Sequence, residues 1–191
     1  MNKFVYIKKD YTVGNITIKK NEIGILISKS GDNATVNFVS SNTNITLKKD
    51  LTIDFDPAKT GDQFSKKVCN TCNRLLSISN FMKNQNGKNN RSVRRPSCND
   101  CRKIIDGKNV SAKDKREWAK TKPNMVVWEC PICKKRTIPG LTSKVVLDHD
   151  HNTGKPRAWI CDSCNTGLGR FKDDIYTIQD AIDYLKEKKS D

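Results

Sequence analysis

Residues 130–165 open with Cys130-Pro131-Ile132-Cys133, pass through Val145-Val146-Leu147-Asp148-His149-Asp150-His151, and close with Cys161-Asp162-Ser163-Cys164-Asn165. Two CxxC knuckles can supply four thiolates in a tetrahedron, which suits a closed structural Zn²⁺ site. Joining them forces the chain between them to double back as a hairpin. Val145 and Leu147 alternate with Val146, Asp148 and Asp150 as a strand requires. Arg157-Ala158-Trp159-Ile160 reads as the return strand, with Asn152-Thr153-Gly154-Lys155-Pro156 as the turn. Asn165 follows the last thiolate directly, so closing the zinc site carries it toward Asp148 and His149. A carboxylate, an imidazole and an amide then share one small scaffold.

That set has the chemistry to cut a phosphodiester. Asp148 and the carbonyl of Asn165 are hard oxygen ligands for one Mg²⁺, with Mn²⁺ as the substitute, leaving positions open for a phosphate. His149 carries the side-chain type suited to taking a proton from an attacking water near neutral pH. The departing group is the 3′-oxygen, so the products carry a 5′-phosphate and a 3′-hydroxyl.

At these residues the chain resembles the ββα-metal nucleases, also called His-Me finger or HNH-like, and within them the subgroup of phage recombination endonuclease VII. The resemblance rests on the CxxC, the LDHDH run, a basic-apolar strand and the CxxCN, and it covers roughly residues 128–185. It implies Asp148 and Asn165 as Mg²⁺ ligands, His149 as general base, and Cys130, Cys133, Cys161 and Cys164 on zinc. Asp150 and His151 match positions of support or phosphate contact. Thr166-Gly167-Leu168-Gly169-Arg170-Phe171 is expected as the short helix of the ββα unit, held by the zinc because its glycines weaken it. Arg170 and Lys172 are candidates to reach a phosphate. Ile178, Ala181, Ile182 and Leu185 recur at helical spacing, and the amphipathic helix they predict packs on the nuclease module.

Charge points to the same partner. The net charge is +15, and residues 66–122 carry 16 Lys+Arg against 4 Asp+Glu, so nearly all the excess sits in one middle segment. That concentration marks a polyanion-binding face. The 191 residues contain no apolar run of membrane-spanning length, and the N-terminal Met1-Asn2-Lys3-Phe4-Val5 lacks a signal-peptide core. The expectation is a soluble, cytoplasmic protein with no membrane partner. All eight cysteines fall in four CxxC pairs, which in a reducing compartment favours metal over disulfides.

Residues 1–56 hold short β-branched runs at Phe4–Ile7, Ile16–Ile18, Ile23–Ile27, Ala34–Val39 and Ile45–Leu47, separated by turn signals. They predict a small antiparallel β-barrel of SH3-like type. Residues 57–65 read as a linker around Pro57 and Gly61. Residues 66–122 form a basic Cys₄ zinc module on Cys69, Cys72, Cys98 and Cys101, resembling a duplicate of the later one without its Asp-His pair. Arg91, Arg94 and Arg95 are the candidates there for phosphate or guanine contacts. The gaps between successive knuckles, 25, 28 and 27 residues, do not decide how they pair. First with second and third with fourth is preferred, because residues 111–120 read as a connecting helix with Ser111 and Asp114 as its cap. Trp118 in that helix is assigned to packing, since one aromatic is no stacking platform.

The predicted architecture is thus α+β: a barrel, a linker, a basic zinc module, and a ββα-metal nuclease domain over 123–191 with the second of two structural Zn²⁺. Modules placed ahead of a cutter are what sequence-specific recognition of double-stranded DNA needs. The expected function is a type II restriction endonuclease acting as a homodimer, since two-fold symmetry matches a palindromic target. The competing readings are a homing or nicking HNH nuclease, a Holliday-junction resolvase, and a non-catalytic zinc-ribbon DNA-binding protein. A binder has no use for the Asp148, His149 and Asn165 set.

Overall fold

A computed structural model describes residues 3–41, 43–86 and 92–188. The chain divides into two compact units, residues 1–103 and 104–191.

In the first unit, β1 (Lys3–Ile7), β4 (Ile23–Ser30), β5 (Asn33–Phe38), β6 (Thr43–Lys48) and β7 (Thr52–Phe55) form an antiparallel sheet in the order β6-β5-β4-β1-β7, beside a hairpin of β2 (Tyr11–Val13) and β3 (Ile16–Ile18). The turn signals do what their residue types allow: Gly14, Asn21 and Gly31 all take left-handed backbone. Alternating residues Val5, Ile7, Ala34, Val36, Phe38, Ile45 and Leu47 meet Ile18 in one buried cluster. A register shift at Leu26 and Ser28 bends β4, which lets the sheet wrap this cluster. The sheet nevertheless stays open among the described residues: β6 and β7 are its two edges and are not paired with each other. The antiparallel strands agree with the predicted barrel, but no closed barrel is seen.

The same unit holds β8 (Lys66–Val68), β9 (Leu75–Ser77), β10 (Lys83–Asn86) and β11 (Ser92–Arg94), followed by the start of α1 (Asn99–Asp106). Cys69, Leu76, Phe81, Cys98 and Cys101 make its small core. Lys67 Nζ meets Asp62 at 2.5 Å and lies 5.5 Å from the centre of the Phe81 ring, while Arg94 donates from Nη1 to the Phe81 carbonyl at 2.6 Å. The predicted Arg94 contact residue is therefore engaged within its own module. Arg95 is half-buried, and Arg91 lies outside the described residues.

The second unit contains α2 (Ala112–Ala119), capped as expected by Ser111 accepting from the Asp114 amide. It continues with β12 (Trp128–Glu129), β13 (Arg136–Thr137), β14 (Val145–His149), β15 (Pro156–Cys161), α3 (Asp162–Arg170) and α4 (Ile175–Glu187). Trp118 is half-buried. The helix α4 packs less than its apolar stripe predicts. Ile178 and Ala181 are half-buried, but Ile182 and Leu185 are 42% and 66% exposed. No helix among the described residues is long and apolar enough to cross a membrane.

Candidate active site and metal centres

The eight cysteines gather as two tetrads, Cys69-Cys72-Cys98-Cys101 and Cys130-Cys133-Cys161-Cys164, with all four sulfurs of each within 4.8 Å of one another. The open pairing question thus resolves to first with second and third with fourth. Cys130 and Cys164 sulfurs are 3.9 Å apart, Cys133 and Cys161 3.8 Å, and Cys72 and Cys98 4.0 Å. A tetrahedron with Zn–S arms of about 2.3 Å has edges of about 3.8 Å, so both tetrads fit zinc.

The two knuckles share one backbone design. The Cys69 amide donates to the Arg74 carbonyl and the Asn73 amide to the Cys69 carbonyl; Cys130, Lys135 and Lys134 repeat both bonds. Asn73 and Lys134, each just after the second cysteine, are left-handed. Such a turn points backbone amides at the first sulfur. Burial pushes the Cys69 thiol up, but the amides of Cys72, Cys98 and Thr71 outweigh it and bring it down to about 6. The same balance, through Cys161, Cys133 and Ile132, brings Cys130 down to about 6. Each tetrad thus has one sulfur prepared as the thiolate a metal needs.

The second tetrad fixes the hairpin to the helix. Cys161 ends β15, accepts from the Cys164 amide as the cap of α3, and belongs to the tetrad. The hairpin pairs Val146 with Ile160 and Asp148 with Ala158, so these four share a face. Cys164 and Leu168 of α3, together with Val146 and Ala158 of that face, pack against the buried cluster of Cys130, Ile160 and Cys161. Asn165, the residue after Cys164 in α3, is half-buried. Hairpin and helix are thereby packed together, with Asp148 in β14 and Asn165 in α3.

Asp148 is 8% exposed. The Nε2 atom of His149 is buried without a hydrogen-bond partner among the described residues. The His151 ring lies 5.0 Å from that of His149. Asp150 closes the hairpin turn instead of entering the site: its Oδ1 accepts from the amides of Asn152 and Thr153 at 2.8 and 2.7 Å. Those amide bonds, led by Thr153, hold its carboxyl below the usual carboxylate range.

Two residues not anticipated from the sequence complete the picture. Arg157 binds Asp148, with Nε donating to Oδ2 at 2.8 Å, and also reaches Asp173. Burial disfavours its charge, but Asp173 and Asp148 more than offset that and raise its pKa. Arg157 reaches Asp148 because the pairing shifts between Asp148 and His149, leaving Arg157 as the extra residue. A bulge re-aims a side chain that strict alternation would send to the other face. Asp173 reaches Arg157 from beyond α3, where Lys172 and Asp173 are both left-handed. Arg170 and Lys172 are exposed.

The donor set suits a divalent cation of the hard class: a buried carboxylate and an amide carbonyl, with a cationic guanidinium now on that carboxylate. Among known proteins, the family model for recombination endonuclease VII matches residues 109–187, and that for the His-Me finger endonuclease beta4-alpha2 domain matches residues 56–107. The Gene 59 protein of Mycobacterium phage D29 is 41% identical over 59 residues, which span 30% of this chain and about a third of that protein, 34% of its length. The crystal structure of the ββα-Me type II restriction endonuclease Hpy99I superposes with a TM-score of 0.87 at 40% identity, covering 97% of each chain. With likeness of that extent over both units, the chain belongs to the ββα-Me, or His-Me finger, endonucleases.

Proposed function

We propose that the chain is a sequence-specific double-strand DNA endonuclease of the type II restriction kind. One observation carries this reading beyond the nuclease family. The likeness to a type II restriction endonuclease extends over 97% of the chain, so it includes the N-terminal sheet and the first cysteine tetrad as well as the cutting module. Those added parts are where base contacts would lie, since phosphate contacts alone position a protein without selecting sequence.

In this reading Asp148 and Asn165 hold one Mg²⁺, or Mn²⁺ in its place, and the ion supplies charge stabilisation for the departing 3′-oxygen. His149 takes the proton of the attacking water as general base. His151 supports the His149 ring, and Asp150 supports both by fixing the turn. Two structural Zn²⁺ hold the tetrads. Arg95, Arg170 and Lys172 contact the phosphates of the duplex. The active form is a homodimer, because one such site cuts one strand.

The test is a digest of long sequenced DNAs with Mg²⁺ beside the His149→Ala protein, with every fragment end mapped. Discrete fragments sharing one sequence at each end, absent with the variant, are expected. A smear would show cutting without sequence selection. Intact DNA that both proteins still shift in a gel would show a binder that does not cut.

A further inference from the structure

The Asp148 carboxylate is not free in this chain. The Arg157 guanidinium holds it as a fork, Nε to Oδ2 at 2.8 Å and Nη2 to Oδ1 at 3.3 Å. The same Nη2 donates to the His149 carbonyl at 2.9 Å and to Asp173 at 2.5 Å. One cation therefore serves two carboxylates of unequal standing. Asp148 is the proposed metal ligand, whereas Asp173 comes from the turn after α3. The side chains of Asp148 and Asp173 are 10% and 14% exposed, against 41% for Arg157. Both carboxylates are fixed and sheltered, while the guanidinium has open space beside it.

Local backbone is committed to this arrangement twice. The bulge turns Arg157 to the face of Asp148. Two successive left-handed residues, Lys172 at φ 57° and Asp173 at φ 59°, bring Asp173 to the guanidinium in a conformation unfavourable for side chains other than glycine. Strain of this sort persists where surrounding structure enforces it, and it gathers at functional sites.

We propose that Arg157 is a positioning residue that stands in for the divalent cation on Asp148 in the metal-free chain and competes with that cation for it, with Asp173 retaining the guanidinium when the cation takes Asp148. The proposal rests on the reading of Asp148 as a metal ligand. Two positive charges against one sheltered carboxylate repel each other, so the cation enters only as the fork opens. Without DNA this weakens metal binding. A phosphate group supplies negative charge between the two cations and accepts the N–H groups that Arg157 no longer gives to Asp148. Metal loading is thereby linked to the presence of substrate.

The experiment is a titration of the zinc-loaded full chain with Mn²⁺ in the absence of DNA, free Mn²⁺ being followed by electron paramagnetic resonance. Wild type is compared with Arg157→Gln, Arg157→Lys and Asp148→Ala. Arg157→Gln is expected to bind Mn²⁺ about tenfold more tightly than wild type, since a charge-assisted fork no longer opposes it. Arg157→Lys keeps a charge but not the fork and should gain less, about threefold; it decides the matter should the glutamine variant not fold. Asp148→Ala should lose the site. If neither Arg157 variant binds more tightly while Asp148→Ala loses binding, the competition is refuted and Asp148 stands as a ligand. Unchanged binding in Asp148→Ala would overturn the ligand assignment and the competition together.

Discussion

The substitution Gly107→Ala probes the loop that meets His151 at the tip of the hairpin of β14 and β15. Gly107 has φ +59°, and a Cβ there would lie 2.2 Å from the His151 carbonyl oxygen and 2.8 Å from the His151 Cβ. That oxygen is backbone and cannot rotate aside; it also accepts from the Lys108 amide at 2.8 Å. Left-handed alanine costs about 1 kcal/mol, distortion of the Lys108 bond about 1 kcal/mol, and overpacking at least about 1 kcal/mol more. The expected loss is therefore roughly 3 kcal/mol or more. Gly14→Ala is the matched control, since Gly14 has φ +57° with nothing within 4 Å of its Cβ position; it should lose only about 1 kcal/mol. Urea denaturation at fixed zinc measures both. The protein's 3 tryptophans, Trp118, Trp128 and Trp159, all lie in residues 104–191, so their fluorescence follows Gly107→Ala, and far-UV circular dichroism follows Gly14→Ala. A Gly107→Ala loss no larger than that of Gly14→Ala would show that the loop does not grip His151.

Cys130→Ser should halve the zinc content and unfold the hairpin and α3, because structural zinc supplies folding energy directly; metal analysis with tryptophan fluorescence reads both, and full zinc content with unchanged fluorescence would refute it. Phe38, wholly buried in the N-terminal core, should cost about 3–5 kcal/mol when cut to alanine, read by circular dichroism. Burial pushes the Asp62 carboxyl up, but the Lys67 ammonium and the Arg94 amide outweigh it and hold it below 3.8. A carboxyl depressed on folding contributes stability above its unfolded pKa and loses that contribution as pH falls through the folded one. Asp62→Asn should accordingly cost about 1–2 kcal/mol at neutral pH, with the gap to wild type closing below about pH 4; a gap independent of pH would refute the ion pair as its source.

What the sequence disclosed and what it concealed divide along physical lines. The strand runs and turns of the N-terminal sheet were legible because alternation and left-handed Asn or Gly are local signals. The cysteine tetrads were legible because metal geometry makes a distant contact compulsory. Arg157 and Asp173 were not, since their meeting depends on one extra residue in a strand and on two left-handed residues, Lys172 and Asp173, whose types do not announce that conformation. Strand β7 escaped notice because Thr52-Ile53-Asp54-Phe55 carries an acid within it, tolerable at an edge. The basic count of residues 66–122 said nothing about which cations face outward, and Arg94 proves to serve the Phe81 carbonyl.

Cys161 belongs at once to a strand, a helix cap and a tetrad, with no connecting residue between β15 and α3. This makes the stretch from Ala158 to Cys164 a fixed length. One residue inserted into the strand would exchange the faces of the strand residues before it, and one inserted into the helix would turn the remainder of α3 by about 100°. Either change would remove a sulfur from the tetrad or swing Asn165 away from the hairpin. Substitutions at exposed positions such as Ser163 leave that spacing intact, whereas insertions and deletions can be absorbed only outside it, as in the exposed loop around Leu141 and Thr142.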